Sequence, residues 1–180
     1  MRALKREERW IVLGIPVLFL AGCLFHFLYD ITGRFAVIAA IAPVNESVWE
    51  HEKLMVVPII LWWVIYYVVS PRMGRRNIRK WMAATVVALI GALLLMPMIY
   101  YFYTEALEFN SVIIDIIILL ICLVWAQLLG LHIYQHGRGI PVWISILILC
   151  SIIFGMILAT FYPPHIAIFR DSLSGGYGIL

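Results

Sequence analysis

The sequence predicts an all-α polytopic membrane bundle of about five transmembrane helices, with a short re-entrant or interfacial helix after the first. Three observations predict it. Of the 180 residues, 64% are hydrophobic and only 13% are Asp, Glu, Lys or Arg, against about 25% charged in an ordinary soluble domain. The mean hydropathy is +1.01. The apolar residues fall into long continuous runs divided by charged connections. These features exclude a nucleic-acid-binding domain, a soluble enzyme and a disordered segment. They make membrane lipids the expected surroundings.

A hydrocarbon core of about 30 Å needs roughly 17–25 helical residues. The runs 10–29, 54–70, 81–103, 111–131 and 140–162 meet that length. Only helices or closed barrels satisfy their own backbone in lipid, and runs without period-2 alternation choose helices. The first run follows a basic start but exceeds the roughly 7–15 residues of a signal-peptide core. No small-residue cleavage site follows it, so it is read as a retained span. Residues 35–44 are apolar but too short to span, and Pro43 ends them; this is the re-entrant or interfacial segment. Pro16, Pro58 and Pro97 lie inside spans and are expected to kink them. Cys23, Cys122 and Cys150 sit in apolar runs without metal-like spacing and read as filler. The tail 163–180 is glycine-rich and irregular, and its aromatics and Arg170-Asp171 predict that it packs. The chain 1–180 reads as one membrane domain without internal repeats, which disfavours an inverted-repeat transporter.

Charge sets the orientation. Arg2, Lys5, Arg6, Arg9, then Arg72, Arg75, Arg76, Arg79, Lys80, then Arg138 make ten of the thirteen basic residues, all on one side of a five-span layout. The positive-inside rule makes that side cytoplasmic. Asp30, Glu46, Glu50, Glu52, Glu105, Glu108 and Asp171 fall on the other side. Trp10, Trp81 and Trp143 open the outward-going spans, and Tyr29, Tyr103 and Tyr162 close them. The expected topology is N-terminus in the cytoplasm and C-terminus outside.

The densest polar stretch runs from Asn45 to Lys53. Asn45 is the expected N-cap of the second span. At about 100° per residue, Glu46, Trp49, Glu50 and Lys53 then share one helical face, with His51 about a quarter-turn from Glu50. One reading is local: acids favour a first turn, and Glu50 pairs with Lys53. The other is functional: Glu46 and Glu50 form a carboxylate pair which, with His51, binds a divalent cation or performs acid/base chemistry.

Further polar residues converge on the same side. His26 and Asp30 stand four apart at the end of the first span, where a carboxylate can orient an imidazole. The tail adds His165, Arg170 and Asp171. Asp115 lies about one turn inside the fourth span, where a carboxylate needs a partner facing the bundle. The expected catalytic group is Glu46, Glu50 and His51, and the expected ligands of a divalent metal such as zinc are His26, Glu50, His51 and His165. His26, Asp30, Asn45, Trp49, Lys53, Asp115, His165, Arg170 and Asp171 are supporting residues. Lys53, Arg34 and Arg170 leave an excess of negative charge for a cation or water to balance. His132 and His136 have metal-ligand spacing, but lie at the cytoplasmic end of a helix, where histidine suits the dipole.

Two resemblances follow from these motifs. Ser47-x-x-x-His51 and His132-x-x-x-His136 look like the zinc motifs of seven-helix membrane amidases of the ceramidase and adiponectin-receptor type. That likeness is superficial, because five spans place the two motifs on opposite faces. The run Ala-Pro-Val-Asn-Glu-Ser-Val-Trp-Glu-His-x-Lys-Leu after Phe-His-Phe-Leu-Tyr-Asp resembles a family of small bacterial multi-spanning membrane proteins known only as a domain of unknown function. The tail motif Pro-Pro-His-x-x-x-Phe-Arg-Asp is similar too. The resemblance implies a bacterial plasma membrane and implies no activity.

Three functions fit this layout. The first is a metal-assisted or acid/base enzyme acting at the outer leaflet on a lipid or lipid-linked substrate. The second is a non-catalytic partner or sensor subunit docking through the polar helix. The third is the membrane component of a small-solute or cation transporter.

Overall fold

The computed structural model describes residues 3–70 and 75–179, with backbone alone at 75 and 76. Arg2 and Arg72, part of the expected cytoplasmic charge, lie outside the described residues. Among the described residues, five helices are long and apolar enough to cross a membrane.

Helix α1 spans Arg6–His26. It starts before the expected Trp10 because the Glu8 carboxylate accepts the Lys5 backbone N–H at 2.7 Å. That bond satisfies an otherwise free end group and draws polar residues into the first turn. A short helix α2, Leu28–Ile31, continues from α1. Gly33 and Arg34 take positive φ angles of 73° and 60° and turn the chain back. The expected re-entrant segment then makes one turn, α3, Ala36–Ala39.

The second span is built from α4, Val48–His51, and α5, Lys53–Val69. Its N-cap is Ser47 rather than the expected Asn45: Ser47 Oγ accepts the Glu50 N–H at 3.3 Å. Asn45 lies two residues earlier, and its Oδ1 accepts the Ser47 N–H at 2.9 Å. Helix α6, Arg75–Tyr101, passes into a π-helical turn at Phe102–Ala106. Helix α7, Val112–His136, runs past the expected end at 131, so His132 and His136 belong to its last turn. Helix α8 is Val142–Phe161. Pro16, Pro58 and Pro97 lie within helices without ending them.

Helices α1, α7, α6 and α5 pack in a closed ring, each against the next, and α8 packs on the outside of α6. At the end near Arg6 the ring is filled by indoles. Trp10 and Trp62 stack at 4.2 Å and exchange N–H···O=C bonds of 3.2 Å. Trp63 donates to Gln127 at 3.1 Å, and Trp81 donates to the Trp63 carbonyl at 3.0 Å. Each buried indole N–H here has an acceptor, as burial in an apolar medium requires. Farther along, Gly22 lets α1 approach α5 closely: a Cβ there would stand 2.9 Å from the Leu54 carbonyl oxygen.

The tail does pack. It forms a 3₁₀ turn at Ala167–Phe169 and an antiparallel bridge between Arg170 and Tyr177. It lies over the end of the bundle that carries the polar residues.

Candidate metal centre

Three elements deliver three ligands to one place. His26 is the last residue of α1, and His51 the last of α4. Glu46 comes from the loop between α3 and α4. One ligand atom from each of His26, Glu46 and His51 lies within 4.8 Å of the other two. His51 Nε2 is 3.3 Å from Glu46 Oε2, and His26 Nε2 is 3.9 Å from Glu46 Oε1. The two imidazole centroids are 5.3 Å apart.

The His51 ring is oriented by its own helix. Nδ1 lies 2.9 Å from the Ser47 carbonyl, which can only accept. Nδ1 therefore carries the proton, and Nε2 faces Glu46. A backbone carbonyl holding Nδ1–H is a common support for a metal-binding histidine. His26 Nδ1 is buried without a hydrogen-bond partner among the described residues.

Glu46 is held from the tail. Its backbone N–H donates to Asp171 Oδ1 at 3.0 Å, and its carbonyl accepts from Ser172 Oγ at 3.1 Å. Next to it, Asn45 Nδ2 donates to the Gly178 carbonyl at 2.7 Å. The hydrogen bond from His51 holds the Glu46 carboxyl below the usual carboxylate range, against the opposing effect of burial. Burial pushes the Asp171 carboxyl up. The Ser174 hydroxyl and the N–H groups of Ser174, Glu46 and Leu173 outweigh it, so Asp171 too lies below its ordinary value.

The three ligand residues line a cavity of about 430 Å³. Asp115 lines it from α7, with Tyr100 and Met96 from α6. Asp115 Oδ1 accepts a hydrogen bond from the buried Tyr103 hydroxyl. Tyr103 sits in the π-helical turn of 102–106. Such turns widen a helix and recur at functional sites.

The structure separates other residues expected at this site. Glu50 does not line the cavity. It is 2% exposed, and its two oxygens are taken up elsewhere. Oε2 accepts from Lys53 Nζ at 2.6 Å and from the Val44 N–H at 3.0 Å, and Oε1 accepts from Thr160 Oγ1 at 2.9 Å. Lys53 Nζ also donates to the carbonyls of Ala39 and Ala42, at 2.7 and 3.3 Å. Glu50 and Lys53 thus tie α3 and α8 to the start of α5. The shared face of Glu46 and Glu50 does not form, because the helix begins after Glu46. His165 stacks on Tyr177 at 4.5 Å in the tail, away from the cavity. Asp30 pairs with Arg34 at 3.1 Å on the exposed surface. Trp49 packs on Phe169 at 4.8 Å, and Arg170 forms the tail bridge. His132 and His136 stack on each other at the far end of α7, both exposed.

Residues not assigned to the site from the sequence also matter. Tyr103 partners Asp115; the lone acid in a span called for such a group, and the tyrosines at 100–103 lie at the same end. Ser172 lines the cavity beside Asp171. Glu52 is 1% exposed, and neither carboxyl oxygen has a hydrogen-bond partner among the described residues.

The donor set fits a catalytic metal. Two histidines and one carboxylate are a known zinc set that leaves a coordination position open. Tetrahedral ligands at about 2.0–2.1 Å stand about 3.4 Å apart. His51 Nε2 and Glu46 Oε2 are already at that separation, and the ligand atoms of all three residues lie within 4.8 Å of one another. No curated protein and no solved structure matches the chain. A family described as "Family of unknown function (DUF6512)" matches residues 1–179, and the chain belongs to that family.

Proposed function

We propose that this integral membrane protein is a metal-assisted hydrolase or transferase. It acts on a lipid or lipid-linked substrate at the outer face of a bacterial plasma membrane. The observation that carries this reading is the His26–Glu46–His51 set on the wall of a cavity that also holds Asp115. A divalent ion of the zinc type bound there would polarise the substrate's oxygen and supply the charge that the acids of this layer need. The basic residues of the chain favour the opposite side as cytoplasmic, which supports an outward-opening site, the N-terminus inside and the C-terminus outside.

The chain's own groups supply the remaining chemistry. Asp115 takes a proton from the attacking water or alcohol as the new bond forms to the electrophilic carbon or phosphorus. The bond to the leaving oxygen breaks, and that oxygen receives the proton from Asp115. No electrons enter or leave. Tyr103 holds Asp115 in place through its hydroxyl, and the tail holds Glu46.

Metal analysis of detergent-purified protein tests this reading. It predicts one bound ion per chain, lost in His26→Ala, Glu46→Gln and His51→Ala and kept in His165→Ala. Protein that binds no ion after incubation with zinc, or that keeps its ion in His26→Ala/His51→Ala, contradicts it.

A further inference from the structure

The cavity that holds the proposed metal ligands is not uniform. One part of its lining is the His26–Glu46–His51 cluster with Ser172, whose Oγ donates to the Glu46 carbonyl at 3.1 Å; Asp115 and Tyr100 line it too. Ser172 and half-exposed Glu46 put that part next to water. Cys23, Leu54, Met96, Ile118 and Leu119 supply an apolar wall between α1, α5, α6 and α7. Three more lining residues, Phe27, Val112 and Ile116, are apolar and exposed, at 58%, 73% and 46%. Val112 and Ile116 are in the first turns of the spanning helix α7, and Phe27 caps α1 beside it. All three stand at the ends of helices long and apolar enough to cross a membrane.

We infer that this cavity is a lipid subsite open sideways to the bilayer between the ends of α1 and α7. A membrane lipid places its head group against His26, Glu46 and His51 and passes an acyl chain out between Phe27 and Val112–Ile116. This rests on the functional reading above and names its substrate class and route of entry. The two-ended polarity carries the choice of occupant. A water-soluble solute has no use for an apolar mouth at membrane depth. Hydrocarbon chains lose nothing by entering one, since lipid tails are as apolar as the side chains that line it. The volume of about 430 Å³ lies low in the roughly 300–1,000 Å³ range of small-molecule sites. It suits a head group and the first part of a chain, the rest remaining in the leaflet.

Photocrosslinking tests the inference. The protein is reconstituted in phosphatidylglycerol vesicles doped with phosphatidylglycerol carrying a diazirine in its acyl chain. It is then irradiated and digested, and the adducts are located by mass spectrometry. Adducts are expected at Cys23, Ile118 or Leu119, inside the cavity, as well as on the outer face of α8 at Phe154 and Leu158. Val112→Trp and Ile116→Trp, both at exposed mouth positions, are expected to abolish the cavity adducts and leave those on α8. Adducts confined to outward-facing residues, or cavity adducts unchanged in both tryptophan variants, overturn the inference. Metal content is measured on the same samples. Cavity adducts without a bound ion uphold the lipid subsite and refute the metal reading; a bound ion without cavity adducts does the reverse.

Discussion

The backbone N–H of Glu46 donates to Asp171 Oδ1 at 3.0 Å, joining residues 125 apart in the chain. The bond fixes the one member of the His26–Glu46–His51 cluster that no helix carries. Asp171 is itself 4% exposed and is gripped by its own turn, where the Ser174 N–H donates to Oδ2 at 3.0 Å. The tail thus holds the loop that carries Glu46; if Glu46 binds the proposed ion, Asp171 stands one step behind it.

Asp171→Ala should therefore weaken zinc binding by about 10–100-fold, the usual cost of losing such support. Asp171→Asn keeps an oxygen able to accept the Glu46 N–H and should recover most of the affinity. Competitive zinc titration against a chromogenic chelator measures both. Equal affinities in Asp171→Ala and the parent protein would show that the tail does not position Glu46.

Acid should release the tail. The carboxyls of Glu46 and Asp171 both lie below their ordinary values in the folded protein. A depressed carboxyl contributes stability that is complete above its unfolded pKa, about 4 for these groups. That contribution is lost as pH falls through the folded value. In metal-free protein, the protection factors of the Glu46 and Gly175 amides, which are corrected for the intrinsic exchange rate, should be high at neutral pH and fall below about pH 4. Asp171→Asn should be less protected already at neutral pH and show a shallower fall. Protection that strengthens on acidification would reverse the sign and refute the assignment.

Glu50 and Lys53 should act on stability and not on metal selectivity. Both are sealed from water, and removing one partner of a buried pair costs about 3–5 kcal/mol. Lys53→Met should lower the thermal midpoint and expose residues 36–44 to protease, because Lys53 Nζ holds the carbonyls of Ala39 and Ala42. Glu46→Gln, at a half-exposed loop position, should leave the midpoint within a few degrees. A Lys53→Met protein as stable and protease-resistant as the parent would remove the structural role.

Glu52 should be a net cost. Its two oxygens are buried without hydrogen-bond partners among the described residues, and an unpaired buried polar group costs about 1–3 kcal/mol. Glu52→Met, similar in length and apolar, is expected to raise the thermal midpoint of the purified protein. A lower midpoint would mean that the carboxyl is satisfied in the membrane.

The spans were legible because an apolar run long enough to cross a bilayer has few alternatives to a helix. The site was legible only in part. His26 and His51 stood out as polar groups at span ends, and the structure brings them together. The choice between Glu46 and Glu50 depended on where the helix starts. Ser47 caps it instead of Asn45, and that two-residue difference sends one carboxylate to the cavity and the other to Lys53. His165 was misplaced because an irregular tail has no periodicity from which to infer direction. Tyr103 was read as an interface marker because it closes an apolar run; its contact with Asp115 comes from a π-helical turn, which changes the phase on which helical spacing relies.

The central claim is that His26, Glu46 and His51 hold one ion. The most direct measurement is an anomalous difference map from zinc-soaked crystals, collected on both sides of the zinc absorption edge. The account predicts a peak among these three side chains, about 2.0–2.1 Å from each nitrogen ligand, and no peak there in Glu46→Gln/His51→Ala. A zinc peak held by His132 and His136 alone, or one beside Glu50 without His26, would contradict it.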